Sequence, residues 1–232
     1  MNPSFQRMYA IFNKDLKDVS KNLYVSSTFL LPLFYAWLFA RGQEDAVALL
    51  PMIANLTFAT VGAFLQAAVI AEEREKGTLR GLMLSPASIG EILTGKSMLS
   101  LLGSVLVLFL CVNLLGGVPS IPGVAWAGFA LILVFYLALG TLIGLMSKSL
   151  LEASIFILPV IMILGMGSLF TSLIADAEWL AVVEILPNLQ FEKLFQASGN
   201  AEVLSSLAWI AGWTVVTIAL TVWWYQKRTV DE

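Results

Sequence analysis

The stretch from Gly90 to Ser97 reads GEILTGKS. It satisfies G-x-x-x-x-G-K-[ST], the loop whose backbone amides cradle phosphates while its lysine reaches the terminal ones. That chemistry needs a buried strand before the loop, a helix opening after it, and an acidic side chain to hold Mg2+. The residues before Gly90 are LMLSPASI, with Pro86 where a central strand would run. From Met98 onward the chain is apolar. The polar stretch around the match is shorter than one strand–helix–strand unit, which takes about 30 residues. The match is therefore read as accidental, and the chain is not expected to bind ATP. Lys96 is read as a cation snorkelling from the start of a membrane span. Gly90 and Gly95 are read as turn or helix-packing residues.

Composition explains why no such domain surrounds the match. Of 232 residues, 59% are hydrophobic and 12% charged, against about 25% charged in soluble domains. This is an integral membrane composition. There is no histidine, and Cys111 is the single cysteine. The commonest general base and the commonest metal ligands are thus missing, and no catalytic residue or metal site is expected. The N-terminal residues MNPSFQRMYAIFNKDLKDVSKN are polar and mixed in charge, unlike a cleavable leader.

Charged residues divide the chain into uncharged runs of bilayer length, about 20 residues each. The expected fold is all-α, with six spans near 24–40, 50–71, 98–117, 124–146, 153–174 and 204–225. The long run from Ser97 to Ser147 is broken by GGVPSIPG. With the N-terminus inside, all 13 basic residues except Arg41 and Lys193 fall on the cytoplasmic side. That asymmetry puts both termini in the cytoplasm. Trp37, Trp126, Trp179, Trp209, Trp223 and Trp224 fall near span ends, as interfacial belts do.

Two flanking segments have their own patterns. In residues 1–22, Phe5, Met8, Tyr9, Phe12, Leu16 and Val19 recur at helical spacing, and Arg7, Lys14, Asp15, Lys17, Asp18 and Lys21 take the other face. This predicts an interfacial amphipathic helix. Between the fifth and sixth spans, DAEWLAVVEILPNLQFEKLFQASGNAEVL predicts one or two short helices in the outer leaflet. It carries Asp176, Glu178, Glu184, Glu192 and Glu202 against Lys193, an acidic surface that could attract cations.

The loop 72–97 is the most informative stretch. Glu72, Glu73, Arg74, Glu75 and Lys76 continue the second span as a charged helix end. Gly77 stops that helix, and Thr78 caps the next turn. Leu79, Leu82 and Met83 then share a face of a short helix closed by Pro86. Together these form a docking element on the cytoplasmic side. EEREKGTLRGLMLSPASIGEILTGK resembles the loop after the second span in permease subunits of the ABC-2 transporter superfamily. The architecture read above is also similar to that family's.

The resemblance implies a division of labour. The chain is a single permease domain, and ATP and Mg2+ belong to a separate cytoplasmic ABC ATPase subunit. Two permease copies, identical or similar, form the pathway. Glu72, Arg74, Glu75, Gly77, Thr78, Leu79, Leu82, Met83 and Pro86 match the family's ATPase-coupling region. Membrane lipid is a partner and nucleic acid is not. The expected location is a bacterial or archaeal plasma membrane.

The predicted spans hold no charged residue, which argues against an ion-coupled carrier. Their polar residues are few: Asn55, Thr57, Thr60, Gln66, Asn113, Ser154, Ser168 and Thr171. Asn55, Thr57, Thr60 and Gln66 are the candidate pathway residues, although helix–helix hydrogen bonds account for such side chains equally well. Gly165 and Gly167 after Pro159 predict a bent or close-packed fifth span. The leading reading is an exporter of an amphipathic drug, peptide or lipid-like cargo. Cation or haem export stays within the same class, with the lack of histidine against haem. The alternative is a non-transporting scaffold or assembly factor, whose docking face would meet something other than an ATPase.

Overall fold

The computed structural model describes residues 3–42, 46–78, 88–118, 123, 126–171, 183–197 and 199–231. Every regular element among them is helical. Helix α1 (Pro3–Lys21) ends at Asn22, whose side chain accepts a hydrogen bond from Val25 N and so caps α2 (Leu23–Ser27). A turn leads into α3 (Leu30–Gly42). A 3-10 turn (Ala46–Leu49) and Pro51 in the first turn open α4 (Leu50–Thr57). A π-helical segment (Phe58–Phe64) carries the same rod into α5 (Leu65–Glu75). Gly77, at φ +66°, lies just past its end, as expected from a glycine helix stop.

Helix α6 (Ile89–Leu115) starts at a capping box. Ser88 Oγ accepts from Glu91 N, and the Glu91 carboxylate accepts from Ser88 N. It stops at Gly116, in the left-handed region at φ +94°. Helix α7 (Trp126–Met146) leads to Ser149, which caps α8 (Leu150–Val160). A second π segment (Ile161–Gly165) and the short α9 (Ser168–Thr171) follow. Helix α10 (Pro187–Gln196) falls in the stretch expected to hold short helices, and α11 (Asn200–Asp231) is the longest.

Among the described residues, five helices are long and apolar enough to cross a membrane: Leu23–Gly42, Ala46–Glu75, Gly90–Leu115, Trp126–Met146 and Asn200–Lys227. The fifth expected span differs. Its apolar helix, Leu150–Gly165, is shorter and ends in a turn at Met166 and Gly167; residues 172–174 of that span lie outside the described residues. The turn is tight, because a Cβ on Gly167 would sit 2.1 Å from Ile163 O. A Cβ on Gly165 would meet Ala59 Cβ at 3.1 Å. The bent and close-packed character expected of Gly165 and Gly167 is present.

The rod from Leu50 to Ala71 is buried on every side. A helix apolar all round belongs in an interior, and this one forms the axis of the bundle. Helices α3, α6, α7 and α8 pack around it, while α11 packs along α7. Its closest neighbour is α7, through Gly140-Thr-Leu-Ile-Gly144. Cβ atoms there would lie 2.3 Å from Ala63 O and 2.8 Å from Ile70 Cβ. Small residues at four-residue spacing let helix backbones approach in lipid, where no hydrophobic effect drives them together. Outward faces are apolar instead: Val105, Leu106 and Phe109 on α6, Ile155 and Leu158 on α8, Val215 and Trp223 on α11 are all exposed. Exposed apolar surface of this extent marks a lipid or protein contact face.

Helix α1 crosses the start of α6 at Gly95, where an added Cβ would lie 3.1 Å from Met8 O. Gly95 is therefore a helix-packing glycine. Phe5, Tyr9 and Leu16 form an exposed apolar stripe on α1. One expectation is corrected: Asp15, assigned to the solvent face, is 2% exposed and turned into the bundle beside Ile11 and Val19. The reason is a buried cation on α6.

Candidate functional site

That cation is Lys96. It does not snorkel to an interface; it is 0% exposed. Its Nζ lies 3.2 Å from Glu73 Oε1 and 3.4 Å from Asp15 Oδ2. Lys14 pairs with the same Glu73 carboxylate from α1. The correction is physical. The interface offers a lone ammonium water, whereas two carboxylates from other helices offer it charge-assisted hydrogen bonds in a covered site. Burial pushes the Asp15 carboxyl up to about 6, against the pull of Lys96. The eight residues Gly90 to Ser97 all lie within α6, so most of their backbone amides are spent on the helix. Both features agree with the reading of the phosphate-loop pattern as accidental.

The cluster sits where α5 ends, and successive residues there reach different neighbours. Adjacent helix positions differ by about 100°, so four in a row cover the whole circumference. Glu72 pairs with Lys76 one turn on, at 2.6 Å. Glu73 faces α1 and α6. Arg74 Nη1 donates to Leu145 O at 3.1 Å and to Ser147 O at 2.6 Å, meeting carbonyls that end α7. The Glu75 carboxylate accepts from Leu150 N, at the start of α8, at 2.9 Å. Thr78 turns backwards: its hydroxyl donates to Glu73 O at 3.1 Å and lies 3.3 Å from Glu73 Oε2. These hydrogen bonds close α5; the turn that Thr78 is expected to cap lies outside the described residues. A small cavity of about 130 Å3 opens here, walled by Lys14, Asp18, Glu72 and Thr78 among others.

A second tie joins α1 to α6 nearby. Arg7 grips Glu91 with two hydrogen bonds, at 3.0 and 2.7 Å, and Ser4 donates to the same carboxylate. Glu91 therefore serves both the capping box and the α1 contact.

Of the expected coupling residues, the fold brings Glu72, Arg74, Glu75, Gly77 and Thr78 together at this end. Leu79, Leu82, Met83 and Pro86 lie outside the described residues. The expected pathway residues Asn55, Thr57, Thr60 and Gln66 are all buried along the axial rod. Thr57 and Thr60 donate to carbonyls of their own helix, Ile53 O at 2.7 Å and Leu56 O at 2.8 Å. Gln66 joins Ser97, Ser100 and Thr141 across two helices at 3.0–3.1 Å. Asn55 donates to Asn188 O and Glu192 Oε1, each at 3.1 Å, with the Tyr136 hydroxyl 3.3 Å from its Oδ1.

Sequence reasoning missed Asp15, Glu73, Glu91 and Lys96 as partners, and Gly140 and Gly144 as a packing pair. Two signals were present: Ser88-x-x-Glu91 is a capping-box spacing, and Gly140-x-x-x-Gly144 is a small-residue packing spacing. For the Lys96 cluster no local signal existed.

A bundle of long apolar helices around a fully buried rod, with its charges gathered at helix ends, defines a multi-pass membrane protein. A family model described as "ABC-2 family transporter protein" matches residues 39–223. The chain belongs to that family and is a transmembrane ABC transporter permease. Such a permease is a non-catalytic subunit, and membership implies partnership with an ABC ATPase. No curated protein matches the chain.

Proposed function

We propose that the chain is the membrane half of an ATP-driven exporter, moving an amphipathic drug, peptide or lipid-like cargo outward. ATP and Mg2+ are handled by a separate cytoplasmic ATPase, which seats residues 72–86. Two permease copies build the pathway. Each contributes six spans, the shorter Leu150–Gly165 helix supplying the fifth, with α1 in the inner interface and α10 toward the outer leaflet. Both termini face the cytoplasm of a bacterial or archaeal cell.

The observation that carries this reading is the end of α5. Glu73, Arg74 and Glu75 tie it to α1 and α6, to α7, and to α8. A push on the loop that follows Thr78 therefore reaches four neighbours through charge-assisted hydrogen bonds rather than through slack chain. A mechanically driven permease needs such a node, since closure of the ATPases must rearrange several spans at once. A scaffold has no comparable need.

The test is purification of the tagged chain from its native membrane in mild detergent, with mass spectrometry of what accompanies it. A stoichiometric soluble ATPase is expected. Its absence under several detergents would overturn the reading in favour of a scaffold or assembly factor.

A further inference from the structure

At the end of the bundle away from Lys96, a cavity of about 370 Å3 opens between the start of the axial rod, α9 and α10. Ligand pockets run at about 300–1,000 Å3 and are mostly apolar, with a few placed polar groups. This one has that make-up. Leu49, Met52, Leu169 and Phe195 supply apolar wall, and Glu192 supplies a carboxylate. Phe195 is held edge-on by Phe129 and Phe191, with ring centroids 5.6 and 5.3 Å away.

The charge on Glu192 has no counterpart among the described residues. Its oxygen accepts from Asn55 Nδ2 at 3.1 Å, and Ser168 is beside it. The adjacent Lys193 is turned to Glu184, at 2.9 Å. A carboxylate in apolar surroundings costs free energy unless a cation joins it. A bare metal ion is a poor candidate, because divalent metals take several oxygen ligands. No group of three or more metal-ligating side chains exists among the described residues. An organic cation needs only one carboxylate, and an aromatic face and a thioether favour its apolar body.

We propose that this cavity binds a lipophilic organic cation, its charged centre paired with Glu192 and its body against Leu49, Met52, Leu169 and Phe195. The proposal names a cargo class for the exporter reading and rests on that reading only for the direction of travel. Burial pushes the Glu192 carboxyl up to about 7. The groups around it are Asn55, Ser168, Gln196 and, through Asn55, Tyr136, while Lys193 is turned to Glu184. The site should therefore tighten between pH 6 and pH 8 as Glu192 ionises.

The experiment is equilibrium binding of radiolabelled tetraphenylphosphonium to the purified full chain in lipid nanodiscs, at pH 6 and pH 8. Saturable binding is expected at pH 8 and weaker binding at pH 6. Glu192→Gln should weaken it ~10-fold or more, the equivalent of losing ~1.4 kcal/mol. Tetraphenylborate, of the same shape and opposite charge, should not compete. Ala48→Trp provides a second variant: Ala48 is an exposed wall residue, so the indole can fill the cavity without disturbing the core. Absent saturable binding, or binding that both variants leave unchanged, overturns the proposal. The binding assay contains no ATPase, so its failure leaves the exporter reading standing. Cation binding by a chain that captures no ATPase would sink the exporter reading alone.

Discussion

Lys96 Nζ on α6 lies 3.2 Å from Glu73 Oε1 on the axial rod, and neither side chain is more than 7% exposed. Asp15 of α1 completes the arrangement at 3.4 Å. Removing the cation leaves two covered carboxylates close together with Lys14 alone to offset them. Breaking a buried pair costs about 3–5 kcal/mol. Lys96→Ala should lower the thermal midpoint of the detergent-purified chain markedly, and adding Asp15→Asn should restore part of the loss. Nucleotide binding should be undetectable in the isolated chain before and after the change. A midpoint unmoved by Lys96→Ala would show that the cluster contributes little.

Asp15 also predicts a pH dependence. Its folded-state value is raised from 3.8 to about 6 by burial, so between those values the folded chain holds a proton that the unfolded chain has released. Stability from this group is fully present below pH 3.8 and lost as pH rises through about 6. The charges facing it are Lys96, Lys14 and Glu73. Thermal midpoints measured from pH 4 to pH 7 should therefore fall more steeply in the wild-type chain than in Asp15→Asn. Parallel curves would remove Asp15 as the cause.

The α7 contact makes a steric prediction. A Cβ at Gly140 would lie 2.3 Å from the backbone of Ala63, and one at Gly144 would lie 2.9 Å from Ala67 O. Backbone cannot yield as a side-chain tip can, so Gly140→Ala should cost about 1–3 kcal/mol by overpacking. Gly212→Ala on α11, with nothing within 4 Å of the added atom, is the control and should be near neutral. Equal midpoints for the two variants would mean the helices separate freely.

The proposed seating of residues 72–86 on an ATPase predicts a loss of partnership without a loss of fold. Leu79→Asp with Leu82→Asp replaces apolar positions by charges that a hydrophobic groove rejects. The variant should insert and purify as the wild type does while retaining no ATPase on a pull-down. Retained ATPase, with hydrolysis still responsive to the permease, would move the docking surface elsewhere.

The membrane class was legible because it depends on local composition. Runs of about 20 apolar residues, glycine stops and helix caps act over a few residues of chain. The short helix ending near Gly165 was only partly legible. Gly165 and Gly167 announced a bend, but where the helix turns depends on how closely Ile163, Ala59 and Asn188 approach those glycines.

By itself, then, the sequence determined an all-helical multi-pass chain, the charged end of the second span, and a loop of the ABC-2 transporter kind. Tertiary structure decided the rest. It buried Lys96, which meets Asp15 from 81 residues away; it turned Asp15 from the solvent face to the core; and it placed Asn55 beside Glu192, 137 residues on. Spacing along one helix says which side chains share a face. Whether a charge on that face finds water or a partner depends on which helix packs against it, and that follows from the fit of whole surfaces such as Gly140 and Gly144 on Ala63 and Ala67.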